Sequence, residues 1–385
     1  MSYLFNDDQK MVQKIAREFA ETEVRPRAAE IDKSNAFPRD LYKKAAELGF
    51  TGLLVPQEFG GTGAGMSATA AVIEEIAKES PAFALSLYVT VAIPTYLFDA
   101  PNAKELCAEY LPGLLSGDIL FSAPITFPVG CTNFAEWPTF AKRDGDEWVL
   151  NGTKLYATNT GAADVAIVVG PADDGQIYAF VVDTDNPGME DSHVEDKIGV
   201  NGNCSGTNVF SDCRVKADHA FPKKLGEGIG AGNAFCAAAA LGCAEGAWQK
   251  TLEFTKVRTR NNTPIVNLQA VAHRLARMSG EIEKCRALIY EALLLGDLAL
   301  LHKDNSNDAE IKRLVNTAKY STCEMAIDVA KQCIWMHGGL GVVKETGVER
   351  YLRDAACLAV ADGTPDQHVE TVAALLGLPG SQVMY

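Results

Sequence analysis

The sequence predicts an α+β protein: an N-terminal helical domain, a central β domain and a C-terminal helical bundle. Three changes of texture carry this reading. Residues 1–120 read as helices parted by short Gly/Pro loops. Residues 121–227 turn to β-branched alternation with Asn-Gly and Asp-Gly turn signals, and residues 228–385 return to long helical periodicity.

Each element follows in order. Asp7 to Arg27 carries apolar residues at helical spacing, and Phe37-Pro38 opens a second helix that ends around Leu48-Gly49-Phe50. Glu58-Phe59-Gly60-Gly61-Thr62-Gly63 is a glycine turn, and Leu85 to Phe98 reads as a further apolar helix. Strands are predicted at Glu147 to Gly152, Val165 to Val169 and Ile177 to Val182. Long helices are predicted from Ala237 to Thr259, Asn267 to His302 and Ala309 to His337, with Asp304 to Asp308 as a loop between the last two.

Composition narrows the function. The net charge of −15 argues against sequence-independent nucleic-acid binding, which depends on basic surface. It leaves room for an anionic ligand held by local amides and one or two arginines. The sequence shows no unbroken apolar run of the roughly 18 residues a membrane span needs, and the acidic start has neither signal nor transit character. A cytoplasmic protein that does not engage a membrane is therefore expected. The ten cysteines are scattered without Cys-x-x-Cys and read as buried free thiols. Six histidines, none at metal spacing, predict no metal site.

Near the end stand Met336-His337-Gly338-Gly339-Leu340-Gly341, Tyr351-Leu352-Arg353-Asp354-Ala355 and Asp362-Gly363-Thr364. With Thr51 to Pro56, the Gly60-Gly61 turn and Pro124 to Asn133, their order and spacing resemble the flavin-dependent acyl-CoA dehydrogenase family. The resemblance covers nearly the whole chain. It implies a middle domain built as a β-barrel or sandwich and a C-terminal four-helix bundle. It also implies FAD, an acyl-CoA substrate, an electron-transferring flavoprotein as acceptor, and a homotetramer of paired dimers with FAD bridging two subunits.

Carried over residue by residue, the resemblance places the flavin against Ile125, Thr126 and Thr132, and against Tyr156 and Thr158 on the following strand. Tyr156 stands where relatives usually have tryptophan, and Phe127 and Asn133 replace an expected Glu and Asp. Arg258 and Gln269 match cofactor contacts made across a dimer interface, although Asn261-Asn262 replaces Phe-Gly between them. Trp335 holds a position usually glutamine, where it stacks on adenine or fills the subunit interface. Gly338, Gly339 and Thr364 complete the cofactor set. Tyr88, Val91, Thr95, Thr132 and Gly363 are the candidate substrate contacts.

The family's reaction needs a base for the α-proton of the thioester, and the position usually held by glutamate is Asp362. An aspartate reaches about 1.5 Å less far, and a misplacement of about 1 Å costs on the order of a hundredfold in rate. The departure points toward branched or alicyclic acyl groups, such as cyclohexane-1-carbonyl, whose α-carbon sits closer to the wall. Asp362 is alternatively a capping residue in a member without activity. Glu227 lies at the wrong point of its loop to serve as base, and no arginine there marks the CoA end. Other readings stay open: a nitroalkane-oxidase-like flavin oxidase, a carrier-protein thioester dehydrogenase, or a non-catalytic partner subunit.

Overall fold

The computed structural model describes residues 5–130, 134–224, 230–302 and 306–381. The chain begins with α1 (Asp7–Phe19), closed at its start by a reciprocal capping box between Asn6 and Gln9. The expected helix to Arg27 does not continue unbroken. It widens into a π-turn at Ala20–Val24 and tightens to a 3-10 turn at Arg25–Arg27 before α2 (Ala28–Ser34). Pro26 is the physical reason, since it has no N–H to give the helical ladder.

α3 (Arg39–Glu47), α4 (Met66–Ala77), α5 (Pro81–Ala92) and α6 (Ala103–Ser116) complete the N-terminal region. Ser80 caps α5 by accepting from the Phe83 N–H at 3.3 Å, and Pro81 takes the first helical position. Pro81–Asp99 has the length and mean hydropathy of a membrane span, but 78% of it is buried inside the fold. It is a core helix here.

The middle region forms two four-stranded sheets. One orders β1 (Phe121–Ser122), β4 (Val165–Pro171), β5 (Ile177–Asp183) and β8 (Ala220–Pro222). The other orders β2 (Ala141–Asp144), β3 (Glu147–Ala157), β7 (Gly206–Lys216) and β6 (Met189–Val194). Trp148 of β3 meets Phe180 and Tyr178 of β5 at 5.9 and 4.8 Å between centroids. The aromatic faces therefore pack sheet on sheet as a sandwich. Among the described residues there is no closed barrel, which settles the implied barrel-or-sandwich choice.

α7 (Ala231–Val257), α8 (Gln269–His302) and α9 (Asp308–His337) form the C-terminal bundle, with α10 (Glu349–Val360) and α11 (Pro365–Leu375) packed on α9. A two-strand ribbon, β9 (Thr259–Arg260) with β10 (Thr263–Pro264), joins α7 to α8. The helical core is continuous across the chain: Ile73, Phe83 and Tyr88 from the N-terminal region share it with Ala240, Ile289 and Val329. Gly242 and Gly246 make this possible, because a Cβ there would lie 2.2 Å from the Glu74 carbonyl and 2.1 Å from the Lys78 carbonyl. Only glycine lets α7 approach α4 so closely. The nine described cysteines are free thiols.

Candidate active site

Asp362 follows the C-terminus of α10 with a left-handed backbone, φ +54°. Asp tolerates that conformation better than a branched residue, and Gly363 beside it, φ +104°, needs it. Thr364 then starts α11, its N–H donating to Gln367 Oε1 at 2.7 Å. The turn points the Asp362 carboxylate at α5, where the Tyr88 hydroxyl donates to Oδ2 at 2.7 Å. Tyr88 is 2% exposed, and burial, then the Asp362 charge, push its phenol well above the ordinary value. Tyr96, one residue beyond Thr95, is raised to about 12 by burial and by Asp362 and Asp99.

A buried polar layer lies behind Asp362. Lys319 of α9 has no exposed surface and donates to the Leu358 carbonyl at 3.0 Å and to Cys323 Sγ at 3.3 Å. Burial works against its charge, but Cys236, Cys323 and Asp362 together hold its amine above the usual lysine range. His368 of α11 contacts Asn316 Oδ1 through Nδ1 at 2.7 Å, while its Nε2 is buried without a hydrogen-bond partner. Burial and the Lys319 charge lower that imidazole to about 4, so it is neutral at pH 7.

The Arg353-Asp354 pair of the sequence signature fixes where this turn sits. Arg353 donates to Asp32 Oδ1 and Oδ2 at 2.9 and 2.7 Å and to the Ile198 carbonyl at 3.1 Å. Asp354 accepts from the Val200 N–H at 2.6 Å. α10 is thereby pinned to α2 and to the loop before β7. These residues position the site and do not reach Asp362 themselves.

The second group lies at the end of β3. Tyr156 has a left-handed backbone, φ +57°, and is 64% exposed, an aromatic face held out to solvent. The Thr158 carbonyl accepts from Ser122 Oγ at 2.7 Å, and the Thr126 carbonyl accepts from the Leu155 N–H at 2.8 Å. Two residues missed in the motif reading hold this edge. Lys154 is wholly buried, with Nζ 2.7 Å from the Ile125 carbonyl. Asn159 is also wholly buried, and its amide donates to Ser86 O, Thr90 Oγ1 and Phe121 O at 3.3, 3.1 and 2.8 Å. Asn159 therefore ties the Tyr156 edge to α5, the helix that carries Tyr88. The only sequence signal was a polar residue type, within the strand pattern for Lys154 and just after it for Asn159.

The third group gathers at one end of the bundle. Arg258, Gln269, Trp335, Gly338 and Gly339 are all exposed, at the ends of α7, α8 and α9. Phe254 stacks on His337 at 4.1 Å, which joins the end of α7 to the glycine turn. A Cβ at Gly338 or Gly339 would meet nothing within 4 Å, so the turn presents open backbone. Thr132 lies outside the described residues. Val91 is buried in the core at 2% exposure, and the Thr95 hydroxyl bonds its own helix at the Ala92 carbonyl, 2.6 Å away.

An exposed aromatic on a fixed edge, an open glycine turn and an exposed guanidinium suit a large aromatic cofactor with a pyrophosphate. Among the described residues no group of His, Cys, Asp or Glu is arranged to hold a metal ion.

The family models for the acyl-CoA dehydrogenase N-terminal, middle and C-terminal domains match residues 6–118, 124–213 and 226–377. The chain is 32% identical over 380 residues to Probable acyl-CoA dehydrogenase YngJ of Bacillus subtilis (strain 168), covering 95% of this chain and 97% of that one. It is 30% identical over 385 residues to Acryloyl-CoA reductase (NADH) of Anaerotignum propionicum, covering 97% and 95%. The fold matches butyryl-CoA dehydrogenase from Megasphaera elsdenii with a TM-score of 0.89 at 27% identity, over 98% of this chain and 100% of that one.

Proposed function

This chain belongs to the acyl-CoA dehydrogenase family of FAD-dependent oxidoreductases, and from that premise we propose that Asp362 is the base that takes the α-proton of an acyl-CoA thioester. The observation that carries the reading is the Asp362 carboxylate, turned out of the α10 end and held by Tyr88 beside Gly363-Thr364. Bound FAD supplies the acceptor for the β-hydride at N5. The chain's part is to hold that cofactor and to manage the proton. Tyr156, Thr158, Ile125 and Thr126 form the edge for the flavin, and Arg258, Gln269, Trp335, Gly338 and Gly339 form the far end for the adenosine and pyrophosphate. The Asp362 N–H donates to the thioester carbonyl, which stabilises the charge that develops as the α-proton leaves.

The short reach of Asp362 favours a branched or alicyclic acyl group over a straight chain. Electron-transferring flavoprotein is the proposed acceptor, and the exposed glycine turn and Arg258 are the surfaces through which a second copy would complete the cofactor site in a tetramer. One observation favours a second reading, the reductive direction: a relative matching 95% of its own length is named for reducing acryloyl-CoA with NADH. There Asp362 would deliver the proton rather than take it.

The test is anaerobic mixing of the FAD-loaded protein with butyryl-, isobutyryl- and cyclohexane-1-carbonyl-CoA, read as loss of oxidised flavin absorbance. Bleaching by the branched or alicyclic thioester, abolished by Asp362→Asn, is the expected result. Bleaching that survives Asp362→Asn would remove the base assignment. A colourless protein that takes up no FAD would remove the reading altogether. Oxidation of the reduced protein by an enoyl-CoA, faster than the forward reaction, would favour the reductive direction.

A further inference from the structure

Taking Asp362 as the base, we infer that Tyr88 is its positioning residue, and that the Tyr88–Asp362 pair compensates for the missing carbon of a glutamate. The carboxylate sits on a short side chain at an exposed turn, where two torsions leave it free to swing. The Tyr88 hydroxyl removes that freedom by a 2.7 Å bond to Oδ2, made from a ring that is 2% exposed. The helix beneath Tyr88 is itself fixed: Asn159 donates to Ser86 O and Thr90 Oγ1, and Asn203 Nδ2 donates to Ser86 Oγ at 3.0 Å. The donor is therefore anchored from the β domain while the acceptor is anchored through Arg353 and Asp354. Because burial keeps the phenol protonated, Tyr88 is a standing donor and does not compete for the substrate proton.

Two consequences follow. Oδ2 is committed to Tyr88, so Oδ1 is the oxygen left to face the α-carbon. The phenol also stands where a longer carboxylate would extend, so aspartate and tyrosine form a matched pair and a glutamate here would meet the Tyr88 hydroxyl. A residue that merely filled the core would show neither effect.

The experiment uses the FAD-loaded full chain and whichever of butyryl-, isobutyryl- or cyclohexane-1-carbonyl-CoA bleaches the wild type, compared across Y88F, D362E, Y88F/D362E and D362N. Y88F is expected to slow flavin reduction at saturating thioester by about tenfold or more, with FAD content and half-saturating concentration within about twofold. Its rate is expected to become more sensitive to deuterium at the α-carbon, because proton transfer is the step that has lost alignment. Y88F/D362E is expected to be faster than D362E alone, a coupling that independent sites would not show. Wild-type rate and isotope effect in Y88F, or independent multiplication of the Y88F and D362E losses, would overturn the inference. D362N separates the two readings: if it still reduces flavin at the wild-type rate, the base assignment has failed, whatever Y88F does.

Discussion

Lys78 and Lys154 are both buried lysines, and their surroundings are opposites. Lys78 lies at the junction of α4 with α7, with Nζ 3.0 Å from Glu75 and 3.2 Å from Glu245. Glu75 also accepts from Arg17 at 2.9 Å and Gln13 at 3.0 Å, while Glu74 accepts from Arg286 at 3.0 Å and Tyr290 at 2.6 Å. Burial alone would lower the Lys78 amine, but Glu74, Glu75 and Glu245 hold it above its ordinary value. Lys154 has no carboxylate. Its Nζ donates to the Ile125 and Val169 carbonyls at 2.7 and 2.5 Å and sits 3.1 Å from the centroid of the Phe127 ring, with Trp137 and Phe140 at 5.1 Å. Burial pushes its amine well below the usual range.

The difference shows two ways of keeping a buried amine. At the helical junction opposite charges answer each other, so the network resists separation of the N- and C-terminal helices. At Lys154 of β3, carbonyl dipoles and ring faces do the work. The first arrangement depends on every partner being present. The second carries a desolvation cost that removing the lysine would relieve.

The comparison can be broken most sharply at the junction. Lys78→Met is expected to cost about 3 kcal/mol, because Glu75 and Glu245 then keep only Arg17 and Arg286 as cations in a largely buried network. The thermal unfolding midpoint of the FAD-loaded protein is the measure, and a loss below about 1 kcal/mol would mean that water or rearrangement compensates. Lys154→Met is expected to cost less than about 2 kcal/mol at pH 7, since it forfeits two hydrogen bonds but also removes a buried amine.

The pH dependence of the second variant has a definite sign. With its folded value below 10.5, Lys154 binds a proton more readily when unfolded, so wild-type stability from this group rises as pH rises toward 10.5. The wild type should therefore gain on Lys154→Met between about pH 8 and 10. A constant gap over that range would show that the amine keeps its proton in the fold. For Lys78 the sign is reversed: its contribution is complete below 10.5 and is lost only as pH rises through its raised folded value. The smallest effect is expected at the surface pair Glu253–Lys256, 2.6 Å apart and largely exposed, where Glu253→Ala should change stability by less than about 0.5 kcal/mol. A larger loss there would mean that this face is covered in the assembled protein.

Much of the architecture was legible before any coordinates. The helix expected over Ala309 to His337 is observed as Asp308–His337, and that expected from Asn267 to His302 as Gln269–His302. Long elements with one strong period announce themselves. The start of α7 at Ala231 was less visible, because Gly230 and Gly232 disguise its first turn. Of the candidate site, the local motifs were legible: Asp362-Gly363-Thr364, the glycine turn and the Tyr156 edge. The residues that hold them in place were not. Lys154, Asn159, Lys319 and His368 read as ordinary polar residues until their neighbours are known.

The sequence by itself determined the order of helical and β regions and the family. Those are properties of spacing and residue type along one chain. Only the tertiary structure decided that α4 and α5 share a core with α7, α8 and α9, through glycines that bring α7 against the backbone of α4. It also decided that Asp297 of α8 caps α4 by accepting from the Met66 N–H at 2.6 Å, and that Tyr88 meets Asp362. A hydrogen bond between residues so far apart in the chain depends on where packing leaves two backbones, and that is the sum of many weak apolar contacts that no local pattern records.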